Sequence, residues 1–194
     1  MIGLVVAVAL GIIVGFVRGG SLKTFGEAHL RAVWVVFGGV AFQVGAAAAD
    51  GRDLRWLAFA LVLASFACVF AFAALNFQLP GMTLIALGSL CNFIVISANG
   101  GMPVSLDALQ KVGLGNPFEN GAAVKGAHHA LTDASRLRFL ADVIPINVVA
   151  NVVSVGDILL WAGLLLLIQK LMVGPRGKRR RGAGKMASAR SEPD

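Results

Sequence analysis

Phe139–Asp157 reads FLADVIPINVVANVVSVGD and feeds straight into the last hydrophobic run of a very apolar chain. It carries two aspartates, two asparagines and a proline. A carboxylate at the mouth of a membrane helix is costly to desolvate, so it needs a partner or a task. Pro145 removes a backbone donor and pushes Ile144 toward extended geometry. The stretch therefore breaks before the run at Val152–Val173 and gathers polar groups at one end of it.

Working outward, 57% of the 194 residues are hydrophobic and 14% charged, against about 25% charged in an average soluble domain. The apolar residues come in blocks of membrane length: Met1–Val17, Leu30–Ala49, Leu54–Leu75, Gly81–Ala98 and Val152–Val173. This predicts an all-α polytopic membrane protein of about five transmembrane helices. Residues 1–173 form one transmembrane domain, which includes a long polar segment, 104–138, between the fourth and fifth helices. Residues 174–194 form a basic tail, expected to be disordered. The first run lacks the basic start and small-residue cleavage site of a signal peptide.

Two stripes of small residues suit close packing of helices in lipid. Gly3, Ala7, Gly11, Gly15 and Gly19 recur every four residues in the first run. Ala60, Ala64, Ala67, Ala71 and Ala74 form a similar face in the third. Gln43, inside the second run, is expected to bond a neighbouring helix. In the fourth run Gly81, Ile85, Gly88, Asn92, Val95 and Asn99 share one face, which aims Asn92 into the bundle. Asn99-Gly100-Gly101-Met102-Pro103 then ends that helix.

Segment 104–138 reads as short helical pieces separated by glycines. Ser105 caps the first piece, and the second, near 122–140, lies along the membrane surface. His128 and His129 are adjacent. His129 and Asp133 are four apart and would share a helical face, but zinc needs three or four ligands, and no further one is in view. Cys68 and Cys91 lie inside apolar runs and read as packing residues. No phosphate loop, nucleophile elbow or zinc-protease motif is present, and neither metal nor cofactor is expected.

An odd number of spans puts the termini on opposite sides. Eleven of the 17 lysines and arginines fall on the side of the carboxyl-terminal tail, which predicts N-terminus out and C-terminus in. The tail residues Arg176, Lys178, Arg179, Arg180 and Arg181 are then a positive-inside anchor touching anionic lipid headgroups, in preference to nucleic acid. Asn92, Asn99, Gly100, Gly101, His128, His129, Thr132, Asp142, Ser154 and Asp157 collect at an outward polar corner.

The blocks NGGMPVS (Asn99–Ser105), FLADVIP (Phe139–Pro145) and SVGD (Ser154–Asp157), in that order, resemble a family of small bacterial integral membrane proteins of unknown function, DUF5317. GLVV…GFVRGG (Gly3–Gly20) at the start of the chain is also similar. The family usually places a histidine and a threonine ahead of its LADVIP-like block, and His128 or His129 with Thr132 matches. The resemblance implies a multi-helix protein of the bacterial cytoplasmic (inner) membrane and no particular activity. The basic tail looks like an addition to the common pattern.

Three functional readings follow. The first is a binding, transport or accessory component, alone, as a homo-oligomer through the Gly3–Gly19 stripe, or with another membrane protein. The second is a membrane enzyme acting on lipid or lipoprotein at the outer leaflet, with Asp142 and Asp157 as an aspartate pair. An unbroken helix would hold these two about 22 Å apart, so this reading needs the fold-back at Pro145. In the third, the polar residues only stitch helices together, with Asp157 bonding Asn92, Asn99 or Gln43 and Asp142 capping backbone amides at the break.

Overall fold

The computed structural model describes residues 2–27, 29–52, 54–118 and 128–174. The glycines at 121 and 126 and the tail from residue 175, with its five headgroup-contact candidates, lie outside the described residues. Each apolar run is a helix: α1 (Ile2–Val17), α3 (Val33–Asp50), α4 (Arg55–Leu75), α5 (Met82–Asn99) and α7 (Val155–Val173). A short helix, α2 (Leu22–Gly26), sits in the first connector and packs on α7. By length and composition α3, α4, α5 and α7 can each cross a membrane; α1, of 16 residues, is a shorter apolar helix.

The helix ends follow from local chemistry. Gly100 takes φ +69° beyond α5, a left-handed conformation that glycine adopts without a Cβ penalty, and the Gly101 amide bonds the Ile96 carbonyl at 3.1 Å. Ser154 opens α7 with a capping box: its hydroxyl accepts from the Asp157 amide at 3.1 Å, and the Asp157 carboxylate accepts from the Ser154 amide at 3.2 Å.

Packing runs α3–α4–α5–α7–α1, so α5 and α7 hold the centre. Small residues set the close contacts. Gly88 lies against Gly156, and Gly81 against Gly163, so α5 and α7 are antiparallel and meet backbone to backbone. Gly3 meets Trp161, Gly11 meets Ile168 and Gly15 meets Met172, so α1 runs parallel to α7. Gly3, Ala7, Gly11 and Gly15 are thus the packing face of α1, but α7 already covers it. A second copy would have to use another surface.

The alanine stripe of α4 is corrected. Ala60, Ala67, Ala71 and Ala74 are exposed, and the buried face carries Ala58, Val62, Ser65, Phe72 and Ala73. Close approach to α3 comes instead from Gly39, which faces Ser65 and Cys68. The polar stitch there is Gln43 Nε2 donating to Ser65 Oγ at 2.7 Å.

The segment between α5 and α7 is not wholly helical, which corrects the all-α reading. β1 (Met102–Val104) pairs in parallel with β2 (His128–Ala130), and Asp142 bridges the other edge of β1 at Val104. The piece expected as a surface helix near 122–140 is, where described, the strand β2, a turn and a single 3-10 turn at Arg138–Leu140. β3 (Ile144–Ile146) and β4 (Asn151–Val153) form a small antiparallel ribbon. Among the described residues of this segment, α6 (Leu106–Lys111) keeps the predicted helical form, with Ser105 Oγ accepting from the Ala108 amide at 3.2 Å. Prolines 103 and 145 and the β-branched runs beside them favour extended chain over helix. Val104, Ala108, Leu109, Val112 and Val152 give this cap a core of its own.

Candidate functional site

Asn92 sits on the buried face of α5, 1% exposed, opposite the first turn of α7. Its Nδ2 donates to Asp157 Oδ1 at 2.9 Å, and its Oδ1 accepts from Ser154 Oγ at 3.0 Å. With the capping box this closes a ring of four hydrogen bonds among Asn92, Ser154 and Asp157. Gly156 makes the ring possible, because a Cβ there would collide with the Asn92 amide. Both oxygens of Asp157 are held by donors, and its position in the first turn of α7 suits a negative charge.

Asp142 differs. Its backbone is tied to β1: its amide donates to the Pro103 carbonyl at 3.0 Å, and its carbonyl accepts from the Ser105 amide at 2.9 Å. It caps no helix, contrary to the structural reading of the sequence. Its side chain is buried, the residue being 7% exposed. Oδ2 lies 4.0 Å from His128 Nε2, and Oδ1 is buried with no hydrogen-bond partner among the described residues. Burial first, and the nearby Asp157 carboxylate second, push the Asp142 pKa up from 3.8 to about 8. The fold-back at Pro145 therefore brings the two carboxylates within electrostatic range.

The other polar-corner residues do different work. Asn99 clamps the cap onto α5: its Nδ2 donates to the carbonyls of Val95 and Arg136 at 2.8 and 3.0 Å, and its Oδ1 accepts from the Arg136 amide at 2.7 Å. Gly100 and Gly101 supply the turn beneath this clamp. His128 and His129 stand on successive strand positions, so they face opposite sides of β2. His128 faces Asp142; His129 Nδ1 lies 3.1 Å from the Ala130 carbonyl, and its Nε2 is buried without a partner. Thr132 belongs to an exposed turn closed by Ser135. Asp133 is likewise exposed and pairs with Arg138 at 3.1 Å, so the His129–Asp133 helical pairing does not form.

Two buried amides, besides the buried Ser65 and Ser89, escaped the sequence reading. Gln169, near the far end of α7, accepts from Arg18 Nη1 at 2.7 Å. Asn76, beyond α4, receives the Arg31 amide and donates to the Arg31 and Phe72 carbonyls. The available signal was an uncharged polar residue at the edge of an apolar run; the partners, 151 and 45 residues away, are set only by the fold.

Comparison with known proteins covers this region. Residues 27–169 match a family of unknown function, DUF5317. The match includes Asn92, Asn99, Asp142, Ser154 and Asp157, whereas the similar-looking start at Gly3–Gly20 and the basic tail fall outside it. An uncharacterized protein of Thermotoga maritima is 36% identical over 110 residues, an alignment spanning 55% of this chain and 61% of that protein. No solved structure matches. Because the match takes in four of the five long helices and the whole cap that joins α5 to α7, the chain belongs to the DUF5317 family.

Proposed function

We propose that this is a protein of the bacterial cytoplasmic membrane, with five spans, N-terminus out and C-terminus in. On this reading it is a binding component whose outward corner, roofed by the β1–β4 cap, holds its ligand at Asp142. Supporting α1 as the fifth span is its packing along α7 from Gly3 to Gly15. Trp34 and Trp56 start α3 and α4 at opposite ends of the helices and are 83% and 86% exposed, as interfacial tryptophans are. The basic bias toward the tail supports the orientation.

One observation carries the binding reading. Among the described residues of the cap, Asp142 buries a carboxyl oxygen that has no hydrogen-bond partner, and His129 Nε2 is the other buried atom in that state. A purely structural polar residue is normally satisfied, and an orphaned buried carboxylate is expensive.

The enzyme reading rests on the charge of Asp157 acting on Asp142, which stays protonated to a higher pH than an ordinary carboxyl and could serve as an acid. Against it, both Asp157 oxygens are committed to Asn92 and Ser154.

The test is Asp142→Asn in a strain whose phenotype depends on the protein, with melting of the purified protein followed from pH 5 to pH 9. Asp142 has a folded pKa above its unfolded value, so the stability it allows is complete below about pH 4 and is lost as pH rises through about 8. The wild type is expected to melt progressively lower over that range. Asp142→Asn, with no charge to bury, is expected to be flatter with pH, to insert normally and yet to fail to restore the phenotype. Full restoration by Asp142→Asn would refute the binding reading; restoration by Asp142→Asn together with loss in Asp157→Asn would move the chemistry to Asp157.

A further inference from the structure

We infer that the loop Arg136–Phe139 is a lipid-docking surface: it binds the phosphate of an anionic phospholipid and lays Leu137 and Phe139 in the acyl layer beneath. This rests on the bilayer reading above and not on any role of Asp142.

The depth of the loop follows from its attachment. Asn99 is the last residue of α5. Its Nδ2 donates both to the Val95 carbonyl, one turn back, and to the Arg136 carbonyl, while its Oδ1 accepts from the Arg136 amide. The Asn99 side chain is therefore folded down along its own helix, and the Arg136 peptide lies beside the last turn of α5 rather than beyond its end. Leu140 packs lower still, against Ala46, Val62, Val95, Ile96 and Met102. Val95 is four residues, about 6 Å, below the helix end. Leu137 and Phe139 are bracketed by these two fixed points, so they sit level with the final apolar turn of a helix long enough to span a membrane. Trp56 marks the same end: it precedes Phe59, which packs on that cluster, by about one turn, and it is exposed.

What the loop presents at that depth suits a leaflet. Phe139 is 67% exposed and Leu137 36%. Leu137 also holds φ +52°, a left-handed conformation that L side chains rarely adopt. Strain and exposed apolar area are both costs in water, and a bilayer offsets the second by taking the two side chains out of it. Arg136 and Arg138 alternate with this apolar pair. Asp133 pairs with Arg138 at 3.1 Å, so these three side chains leave one net positive charge, which matches one phosphodiester. The Asn99 clamp uses only the backbone of Arg136, so the exposed guanidinium can take two phosphate oxygens. Guanidinium at the headgroup and aromatic ring below it is the arrangement of interfacial anchors. A soluble protein partner would have to enter the leaflet to reach the same surface.

The first experiment uses the full chain with Cys68→Ala and Cys91→Ala, a spin label at Phe139→Cys, and liposomes of phosphatidylglycerol and phosphatidylcholine. Collisions of the label with oxygen, which concentrates in the acyl layer, are expected to exceed collisions with a water-soluble nickel chelate. The reverse order would put the loop in water, and a label shielded from both would mean that protein covers it; either result overturns the proposal. A chain that stayed outside the liposomes would overturn the bilayer reading along with it. The second experiment follows melting in detergent. Added phosphatidylglycerol is expected to raise the wild-type melting temperature more than phosphatidylcholine does. The basic tail is the same in every variant, so the contribution of the loop is read as a difference: Arg136→Gln is expected to lower that excess by about 2–4 °C, and Arg136→Lys by less. An excess that is absent, or unchanged in Arg136→Gln, would overturn the headgroup contact while leaving the five spans in place.

Discussion

Gly88→Ala, the addition of one methyl group, is expected to lower the melting temperature of the detergent-solubilised protein by up to about 8 °C. A Cβ at Gly88 would stand 2.5 Å from the Gly156 carbonyl oxygen and 2.8 Å from the Leu160 amide nitrogen. Both are backbone atoms of α7, so no side chain can swing aside, and the helices must separate. Overpacking of this kind costs about 1–3 kcal/mol, and each kcal/mol moves the midpoint of a chain this size by about 2–4 °C. The loss has to exceed the helix-propensity gain of alanine over glycine, about 1 kcal/mol. Gly163→Ala meets the Gly81 carbonyl at 2.6 Å and is expected to behave alike. Gly38, in α3, has nothing within 4 Å of an added Cβ, so Gly38→Ala isolates the propensity term and is expected to leave stability unchanged or slightly raised. If Gly88→Ala and Gly38→Ala melted together, backbone contact between α5 and α7 would not be what holds the centre.

The second large effect is expected at Asn92. Asn92→Leu keeps an apolar side chain of similar size on the buried face of α5 but removes two hydrogen bonds at once. Asp157 Oδ1 loses its donor and Ser154 Oγ its acceptor. Each orphaned group costs about 1–3 kcal/mol, so a total of about 2–4 kcal/mol is expected, read as a drop in melting temperature of about 10 °C. The mechanism predicts a partial rescue. Removing both partners of a buried bond is cheaper than removing one, so Asn92→Leu with Asp157→Leu is expected to melt above Asn92→Leu alone. Additive losses in the double variant would mean that the two side chains act independently.

The helical frame could be read directly from the chain because lipid-length apolar runs leave little choice of structure. All five long helices fall within a few residues of the expected runs, and the face Ile85–Gly88–Asn92–Val95 is the buried face of α5. Asn92 as the partner of Asp157 was among the three expected alternatives; the antiparallel approach of Gly88 to Gly156 selected it over Asn99 and Gln43. Two things were not legible. Small residues at helical spacing show where packing is permitted, not where it happens, so the stripe of α1 was a real interface and that of α4 was not. The cap misled for a related reason. The polar run 104–138 carries no period strong enough to separate helix from strand, and β2 exists only because β1 lies beside it. That non-local pairing turned His128 toward Asp142 and His129 away, where adjacent histidines on a helix would have diverged by only about 100°.

The proposed topology puts the polar corner on the outer face, and the side on which the carboxyl terminus emerges tests that most directly. A reporter pair fused after Asp194 settles it: a fluorescent protein that matures only in the cytoplasm, and an alkaline phosphatase active only outside. Fluorescence without phosphatase activity is the predicted result. Phosphatase activity without fluorescence would contradict the account, placing Asn92, Asp142 and Asp157 at the cytoplasmic surface.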